Sequence, residues 1–226
     1  MSELHVLRVF CGQDGGGGNP LGVLLEGREA RADDRQRIAA DLGFSETVFV
    51  DDAERGEVRI FTPATELPFA GHPVVGTAWL LARERGAVAS LRPPAGEVPV
   101  RANDELTFAA GCPEWMPEFE FVQVRSTAEV EALGGPPEGH DAVGVWAWVD
   151  EDAGVIRERV FAARYGINED EATGSAAITL SARLGRELEI RQGAGSLILA
   201  RPLAGGTVEI GGRVELDEVR DLPVAT

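Results

Sequence analysis

The sequence contains no lysine, and all 21 of its basic residues are arginine. This absence excludes Schiff-base chemistry, pyridoxal phosphate enzymes included, and a Walker-type phosphate loop, because each needs a lysine side chain. Cysteine is scarce too: Cys11 and Cys112 form no C-x-x-C pair. Three scattered histidines supply no zinc-ligand spacing. We therefore expect no metal site.

Long apolar runs are also missing. No apolar run approaches the length of a membrane span, and the N-terminus lacks a basic region followed by an apolar stretch. We therefore expect a cytoplasmic protein with reduced thiols and no membrane partner. Basic residues are few beside 38 acidic ones, which gives a net charge of −17. Because this excess repels phosphate groups, we expect no nucleic acid partner.

What the sequence does contain is typical of a globular protein. Its 226 residues are 44% hydrophobic, enough for one large domain or two lobes. An amphipathic helix is predicted over residues 33–42, with Asp33 or Asp34 as its cap and Gly43 as its stop. Short apolar and β-branched segments predict strands at residues 4–10, 21–25, 45–50, 57–62, 88–91, 97–101 and 105–109.

Two further helices are predicted to be buried, because residues 73–82 and 173–182 carry no charge. Short matches recur at an offset of 100 residues: Arg59-Ile-Phe with Arg159-Val-Phe, and Leu80-Leu-Ala-Arg with Leu180-Ser-Ala-Arg. This duplication predicts an α+β fold of two similar lobes, each a curved, mainly antiparallel sheet around one central apolar helix. We place the lobes at residues 1–111 and 112–226.

The starts of the two uncharged helices are candidate anion sites. They read Ala70-Gly-His-Pro and Ala172-Thr-Gly-Ser, and each N-terminus presents unpaired backbone N–H groups and a partial positive charge. If the lobes pack about a pseudo-twofold axis, both starts face one cleft. Such a cleft favours a carboxylate.

Each candidate residue also has a purely structural interpretation. Glu46 shares a strand face with Val48 and Val50, where partial burial would raise its pKa, yet most Glu side chains are solvated. The corresponding alternatives are a cap role for His72, Thr173 and Ser175, and an exposed acidic cluster for Asp170. The glycine run at residues 15–18 precedes Asn-Pro and a strand, so we interpret it as a flexible connection rather than a phosphate loop.

Four ordered segments resemble the phenazine-biosynthesis PhzF family, which shares the fold of diaminopimelate epimerase. Together they span most of the chain and form a specific signal. The segments are Gly18-Asn-Pro-Leu-Gly-Val, Phe44-Ser-Glu-Thr-Val-Phe-Val, Arg59-Ile-Phe-Thr-Pro leading into Glu66-Leu-Pro-Phe-Ala-Gly-His-Pro, and Glu169-Asp-Glu-Ala-Thr-Gly-Ser-Ala-Ala.

The resemblance implies an isomerase or epimerase that moves a proton without a metal or organic cofactor. It implies that Glu46 is the general acid/base and that His72 and Asp170 hold a small carboxylate-bearing substrate in the cleft between the lobes. It also implies a homodimer. The further substrate-binding candidates are Gly71, Gly174, Ser175 and Asn19.

Two departures from the family pattern keep a second hypothesis open. Glu171 stands where the family usually has proline, and the chain is shorter than typical relatives between Cys112 and Val160. The alternative is a non-catalytic PhzF-like protein that binds a small carboxylate or a protein partner.

Overall fold

A computed structural model describes residues 2–103 and 105–222. The described residues form four α-helices: α1 (Ala32–Leu42), α2 (Gly71–Glu84), α3 (Thr127–Glu131) and α4 (Gly174–Leu184). The strands are β1 (Ser2–Cys11), β2 (Asn19–Leu24), β3 (Glu46–Asp52), β4 (Glu57–Phe61), β5 (Glu66–Leu67), β6 (Ser90–Leu91), β7 (Val98–Ala102), β8 (Thr107–Gly111), β9 (Glu120–Gln123), β10 (Val143–Asp150), β11 (Val155–Ala162), β12 (Ile167–Asp170), β13 (Leu188–Gln192), β14 (Ser196–Pro202) and β15 (Val208–Leu222).

The strands join into one sheet in the order β5-β4-β3-β2-β1-β15-β14-β13-β11-β10-β9. Most neighbours are antiparallel; among the described pairs, the exceptions are β2 with β3, β9 with β10, and β11 with β13. The long strand β15 pairs with β1, with β14 and with β8. The predicted α+β class is confirmed.

Helix α2 lies at the centre of the N-terminal half, defined here as residues 2–111. It packs against β1, β2, β3, β7, β8 and β15. Val75, Leu80 and Leu81 are fully buried, as the absence of charge predicts. The helix begins at Gly71, two residues before the predicted start, because Ala70 is still extended.

Helix α4 has the corresponding place in the C-terminal half, residues 112–222, where it packs against β14 and β15. Ala176, Ala177, Ile178 and Leu180 are buried on it. Within the described residues, no helix is long and apolar enough to cross a bilayer. The lobe boundary at residue 111 stays a prediction, and Met1, Asp104 and residues 223–226 lie outside the described residues.

The segments that match at an offset of 100 residues have the same local arrangement. Arg59 on β4 forms an ion pair with Glu66 on β5, and the chain then enters α2. Arg159 on β11 pairs with Glu169 on β12, with its Nε 2.7 Å from Oε1, and the chain then enters α4. In both halves an antiparallel strand pair therefore sets the position of the buried helix start.

One predicted cap is wrong. Helix α1 begins at Ala32 with Arg31 as its N-cap, and no side chain caps it. Asp34, expected as a cap, instead pairs with Arg37 one turn further along, at 3.2 Å. The predicted stop is confirmed, because Gly43 has a φ of 70°, a left-handed conformation that glycine adopts without strain.

Candidate active site

Glu46 is the first residue of β3 and lies beside the N-terminal end of α2. Its side chain is only 11% exposed. Val48 and Val50, on the same strand face, belong to the core cluster that contains the buried residues of α2. Because alternate strand residues share a face, the carboxyl group points toward this helix.

His72, the second residue of α2, faces Glu46. Its Nε2 lies 3.3 Å from Oε2 of Glu46, and the side chain is 5% exposed. Neither atom has a hydrogen-bond partner among the described residues. Burial lowers the pKa of His72 to about 3, although a hydrogen bond to the Pro20 backbone acts in the opposite direction. The imidazole is therefore neutral at physiological pH.

Asp170 ends β12 and is held by two donors from opposite halves of the chain. Nδ2 of Asn19 donates to its Oδ1 at 2.8 Å, and Oγ1 of Thr173 donates to its Oδ2 at 2.7 Å. Asn19 also donates to the carbonyl oxygen of Ala172 at 2.9 Å. A buried amide thus joins the strand β2 to the segment that enters α4.

Burial and like charge dominate the electrostatics of the two carboxyl groups. Burial raises the pKa of Glu46 to about 8, and the neighbouring Asp170 charge adds to this effect. Burial also raises the pKa of Asp170 to about 6, opposed by the hydrogen bonds from Thr173 and Asn19. Two acids with separated pKa values in one site are a typical acid/base arrangement.

The starts of α2 and α4 touch. A Cβ added to Gly71 would lie 2.7 Å from the Cα of Gly174, and one added to Gly174 would lie 3.1 Å from the backbone nitrogen of His72. The first distance is shorter than real Cβ contacts, and the second is tighter than most of them. The unpaired backbone N–H groups of both first turns, including that of Ser175, therefore lie near one another. A helix start of this kind favours an anion.

The structure thus brings Glu46, His72 and Asp170 together with the other predicted site residues, which are Asn19, Gly71, Gly174 and Ser175. Thr173 occupies the N-cap of α4, yet its side chain makes no cap hydrogen bond. Its hydroxyl binds Asp170 instead. The exposed-cluster interpretation of Asp170 is therefore wrong.

Sequence reasoning missed Gln192, which supports this site from β13. Its Oε1 accepts from the backbone nitrogen of Thr173 at 3.0 Å, and its Nε2 donates to the carbonyl of Asp170 at 2.8 Å. The weak signal in the sequence was the Gln192-Gly-Ala-Gly-Ser segment, whose glycines allow a tight turn. Within the described ranges, no group of three or more His, Cys, Asp or Glu side chains is placed to hold a metal.

The sequence profile of the family described as "Phenazine biosynthesis-like protein" (PhzC-PhzF) matches residues 8–135. The chain belongs to the PhzF family. It is 33% identical to trans-2,3-dihydro-3-hydroxyanthranilate isomerase of Pseudomonas chlororaphis, over 78% of this chain and 77% of that protein. The corresponding enzyme of Pseudomonas aeruginosa is 30% identical over the same shares. The chain is an isomerase of the PhzF family.

Solved structures give the same fold. A PhzC/PhzF protein from Clostridium difficile superposes with a TM-score of 0.80 at 22% identity, covering 99% of this chain and 100% of that one. A hydroxyproline epimerase from Agrobacterium vitis has a TM-score of 0.59 at 12% identity, with 97% and 91% covered. The chain therefore also shares its overall fold with an epimerase.

Proposed function

We propose that this PhzF-family isomerase moves a proton between two carbons of a small carboxylate-bearing substrate, with Glu46 as both base and acid. The observation that carries the proposal is the position of Glu46, a buried carboxyl group 3.3 Å from a neutral imidazole and beside two converging helix starts. The proposed reaction uses no organic cofactor.

The proposed step balances within the substrate and one side chain. Ionised Glu46 removes a proton from a substrate carbon, and the electron pair of that C–H bond delocalises into the adjacent unsaturated system. Glu46, now protonated, returns the proton to a different carbon, which moves the double bond. Its pKa of about 8 is suited to both halves of the step, because the ideal catalytic pKa lies near the working pH.

The remaining residues hold the substrate and the developing charge. The N–H groups at Gly71, Gly174 and Ser175 bind the substrate carboxylate and stabilise the negative charge that builds up after proton removal. His72 and Asp170 bind the polar groups of the substrate, and Asn19 fixes Asp170. A neutral His72 can donate or accept a hydrogen bond without adding a charge.

The larger organisation of the enzyme is part of this proposal. We place the substrate between two lobes, residues 1–111 and 112–226, in a cytoplasmic homodimer. The origin of the site residues supports the position of the substrate, because Glu46, His72 and Asn19 come from the N-terminal half and Asp170 and Gly174 from the C-terminal half.

The test follows trans-2,3-dihydro-3-hydroxyanthranilate in deuterated buffer by proton NMR. We expect the wild type to give a deuterium-labelled isomer and Glu46→Gln to react at least about 100-fold more slowly. The matched control is Glu158→Gln, since Glu158 is also a buried carboxyl with a pKa of about 8, on β11, and takes no part in the proposed site. This control should keep the wild-type rate.

Each outcome decides a different part of the proposal. Full activity in Glu46→Gln contradicts the assignment of the base. If the wild type leaves this compound unchanged, a panel of small unsaturated carboxylic acids is screened for exchange of C–H protons with solvent. Binding of such acids with no exchange at all contradicts the proposed proton transfer and supports the carboxylate-binding alternative.

A further inference from the structure

Glu171, next to Asp170, binds the turn between β13 and β14. Its Oε1 accepts hydrogen bonds from the backbone nitrogen of Ala194 at 2.8 Å and from the hydroxyl of Ser196 at 2.7 Å. A Cβ on Gly193 would collide with the same carboxyl group. The carboxylate therefore lies tightly against the turn.

Ser196 connects Glu171 to the N-terminal half of the chain. Its buried hydroxyl accepts a hydrogen bond from the backbone nitrogen of Gly18 at 2.8 Å while it donates to Glu171. A Cβ on Gly17 would lie 2.6 Å from the backbone nitrogen of Ser196, so the two glycine segments are pressed together. We call the two hydrogen bonds that join Gly18, Ser196 and Glu171 the latch.

The latch runs beside a second link between the same two segments. Asn19 follows Gly18 and donates to Asp170, which precedes Glu171, at 2.8 Å. The adjacent residues Gly18 and Asn19 are thus bound, through Ser196 or directly, by the adjacent residues Glu171 and Asp170. Because a residue's backbone position limits where its neighbour's side chain can reach, the hydrogen bond on Gly18 constrains the Asn19 amide.

We propose that Glu171 and Ser196 are positioning residues of the site: the latch holds the amide of Asn19 on Asp170. The proposal rests on the proposed function, because Asp170 matters there as a substrate-binding group. It also changes the interpretation of the glycine run at residues 15–18. Arg8 Nη1 donates to the carbonyls of Gly15 and Gly17 at 2.7 Å each, so the run is held at both its start and its end.

Two variants separate the hydrogen bonds of the latch from the charge of Glu171. Ser196→Ala removes both latch hydrogen bonds and keeps every charge. Glu171→Gln removes the charge and keeps an acceptor oxygen for Ala194 and Ser196. The matched control is Ser126→Ala, since Ser126 also accepts a backbone N–H hydrogen bond through its hydroxyl, at the start of α3 and away from the site.

The first readout is hydrogen–deuterium exchange at the amide of Gly18 in the free protein. We expect Ser196→Ala to speed exchange about 3- to 10-fold, the effect of losing one hydrogen bond, and both Glu171→Gln and Ser126→Ala to leave it near the wild-type rate. Unchanged exchange in Ser196→Ala overturns the latch.

The second readout is the titration of the Asp170 carboxyl, followed by carbon-13 NMR. Ser196→Ala should raise the pKa of Asp170, because the hydrogen bond from Asn19 that lowers it is weakened. Glu171→Gln should lower this pKa, because the Glu171 charge raises it. A general loss of stability would not move the pKa of Asp170 in opposite directions in the two variants. If this pKa moves in the same direction in both variants, or in neither, the positioning role is overturned.

Neither readout needs a substrate, so the latch is tested even if the proposed reaction is wrong. Where the wild type isomerises trans-2,3-dihydro-3-hydroxyanthranilate, Ser196→Ala should also lower kcat/KM about tenfold, and Ser126→Ala should not. A normal kcat/KM in Ser196→Ala, together with faster exchange at Gly18, contradicts a role of the latch in the reaction.

Discussion

Oε2 of Glu46 lies 3.3 Å from Nε2 of His72, yet the two side chains do not form an ion pair at neutral pH. The carboxyl has a pKa of about 8 and the imidazole a pKa of about 3, so between these values the acid is protonated and the imidazole neutral. Burial causes both shifts, because it disfavours the charged form of each group. Glu46 therefore keeps its proton up to mildly alkaline pH, and must lose it to act as the proposed base.

The first prediction concerns the pH dependence of the reaction. If ionised Glu46 is the base, kcat/KM should rise tenfold per pH unit below about pH 8 and level off above it. Initial rates between pH 5.5 and 10 measure this. Asp170→Asn should move the rising limb to lower pH, because the Asp170 charge raises the pKa of Glu46. A rise in kcat/KM that levels off near pH 4.5 contradicts the burial of the base. The pKa obtained from this profile belongs to the coupled carboxyls of Glu46 and Asp170 together.

The second prediction concerns Glu158, a fully buried residue on β11. Both of its carboxyl oxygens lack hydrogen-bond partners among the described residues, and burial raises its pKa to about 8. The unfolded chain releases this proton near pH 4.5, whereas the folded protein keeps it. Unfolding therefore releases a proton between these values, and the contribution of Glu158 to stability falls as the pH rises from about 4.5 to about 8.

Glu158→Gln should remove this pH dependence. The free energy of unfolding of Glu158→Gln minus that of the wild type should increase from pH 5 to pH 8, by at most about 4 kcal/mol. Urea denaturation at several pH values measures the difference. The exposed Glu187→Gln serves as control and should follow the wild type. Parallel curves for wild type and Glu158→Gln contradict the prediction.

The third prediction concerns the contact between the helix starts. Gly71→Ala places a Cβ 2.7 Å from the Cα of Gly174, so α2 and α4 must move apart. We expect a loss of about 1–3 kcal/mol in the free energy of unfolding and about 100-fold in kcat/KM, since small displacements of a site strongly affect catalysis. Gly134→Ala, where a Cβ meets open space, should leave both nearly unchanged. Full activity in Gly71→Ala contradicts a shared anion site.

The fourth prediction concerns Asn19. Asn19→Asp keeps the shape of the side chain but removes the N–H groups that bind Asp170 and the carbonyl of Ala172. The new carboxyl beside Asp170 should raise the pKa of Asp170 and lower kcat/KM about 100-fold. Carbon-13 NMR and initial rates measure the two effects. The control is Asn168→Asp, an exposed position on β12; equal behaviour of the two variants contradicts the role of Asn19.

The buried helices were the most predictable part of the fold. The absence of charge at residues 73–82 and 173–182 follows from the burial of most of these positions. The predicted stop Gly43 also ends α1 in a left-handed conformation. Strand β15 could not be predicted in the same way. Its pairing with β1 joins residues at opposite ends of the described chain, and no local pattern in the sequence encodes so distant a contact.

The candidate site was predictable where a motif named each residue, as for Glu46, His72 and Asp170. Gln192, Ser196 and Glu171 were not, because their contacts depend on where the turn between β13 and β14 meets the glycine run. The acidic run at residues 169–171 gave no sign that its side chains have three different partners. Glu169 binds Arg159, Asp170 binds Asn19, and Glu171 binds Ser196.

The pairing of β1 with β15 has a consequence during synthesis on the ribosome. Ser2 pairs with Leu222 and Cys11 with Arg213, so the edge of β1 stays open until almost all described residues have been translated. At ordinary translation rates this takes roughly 10 to 40 seconds. During this time the nascent N-terminal half exposes an unpaired strand edge that other chains can join. We therefore expect fragments that end before β15 to aggregate, and chaperone binding to protect the growing chain.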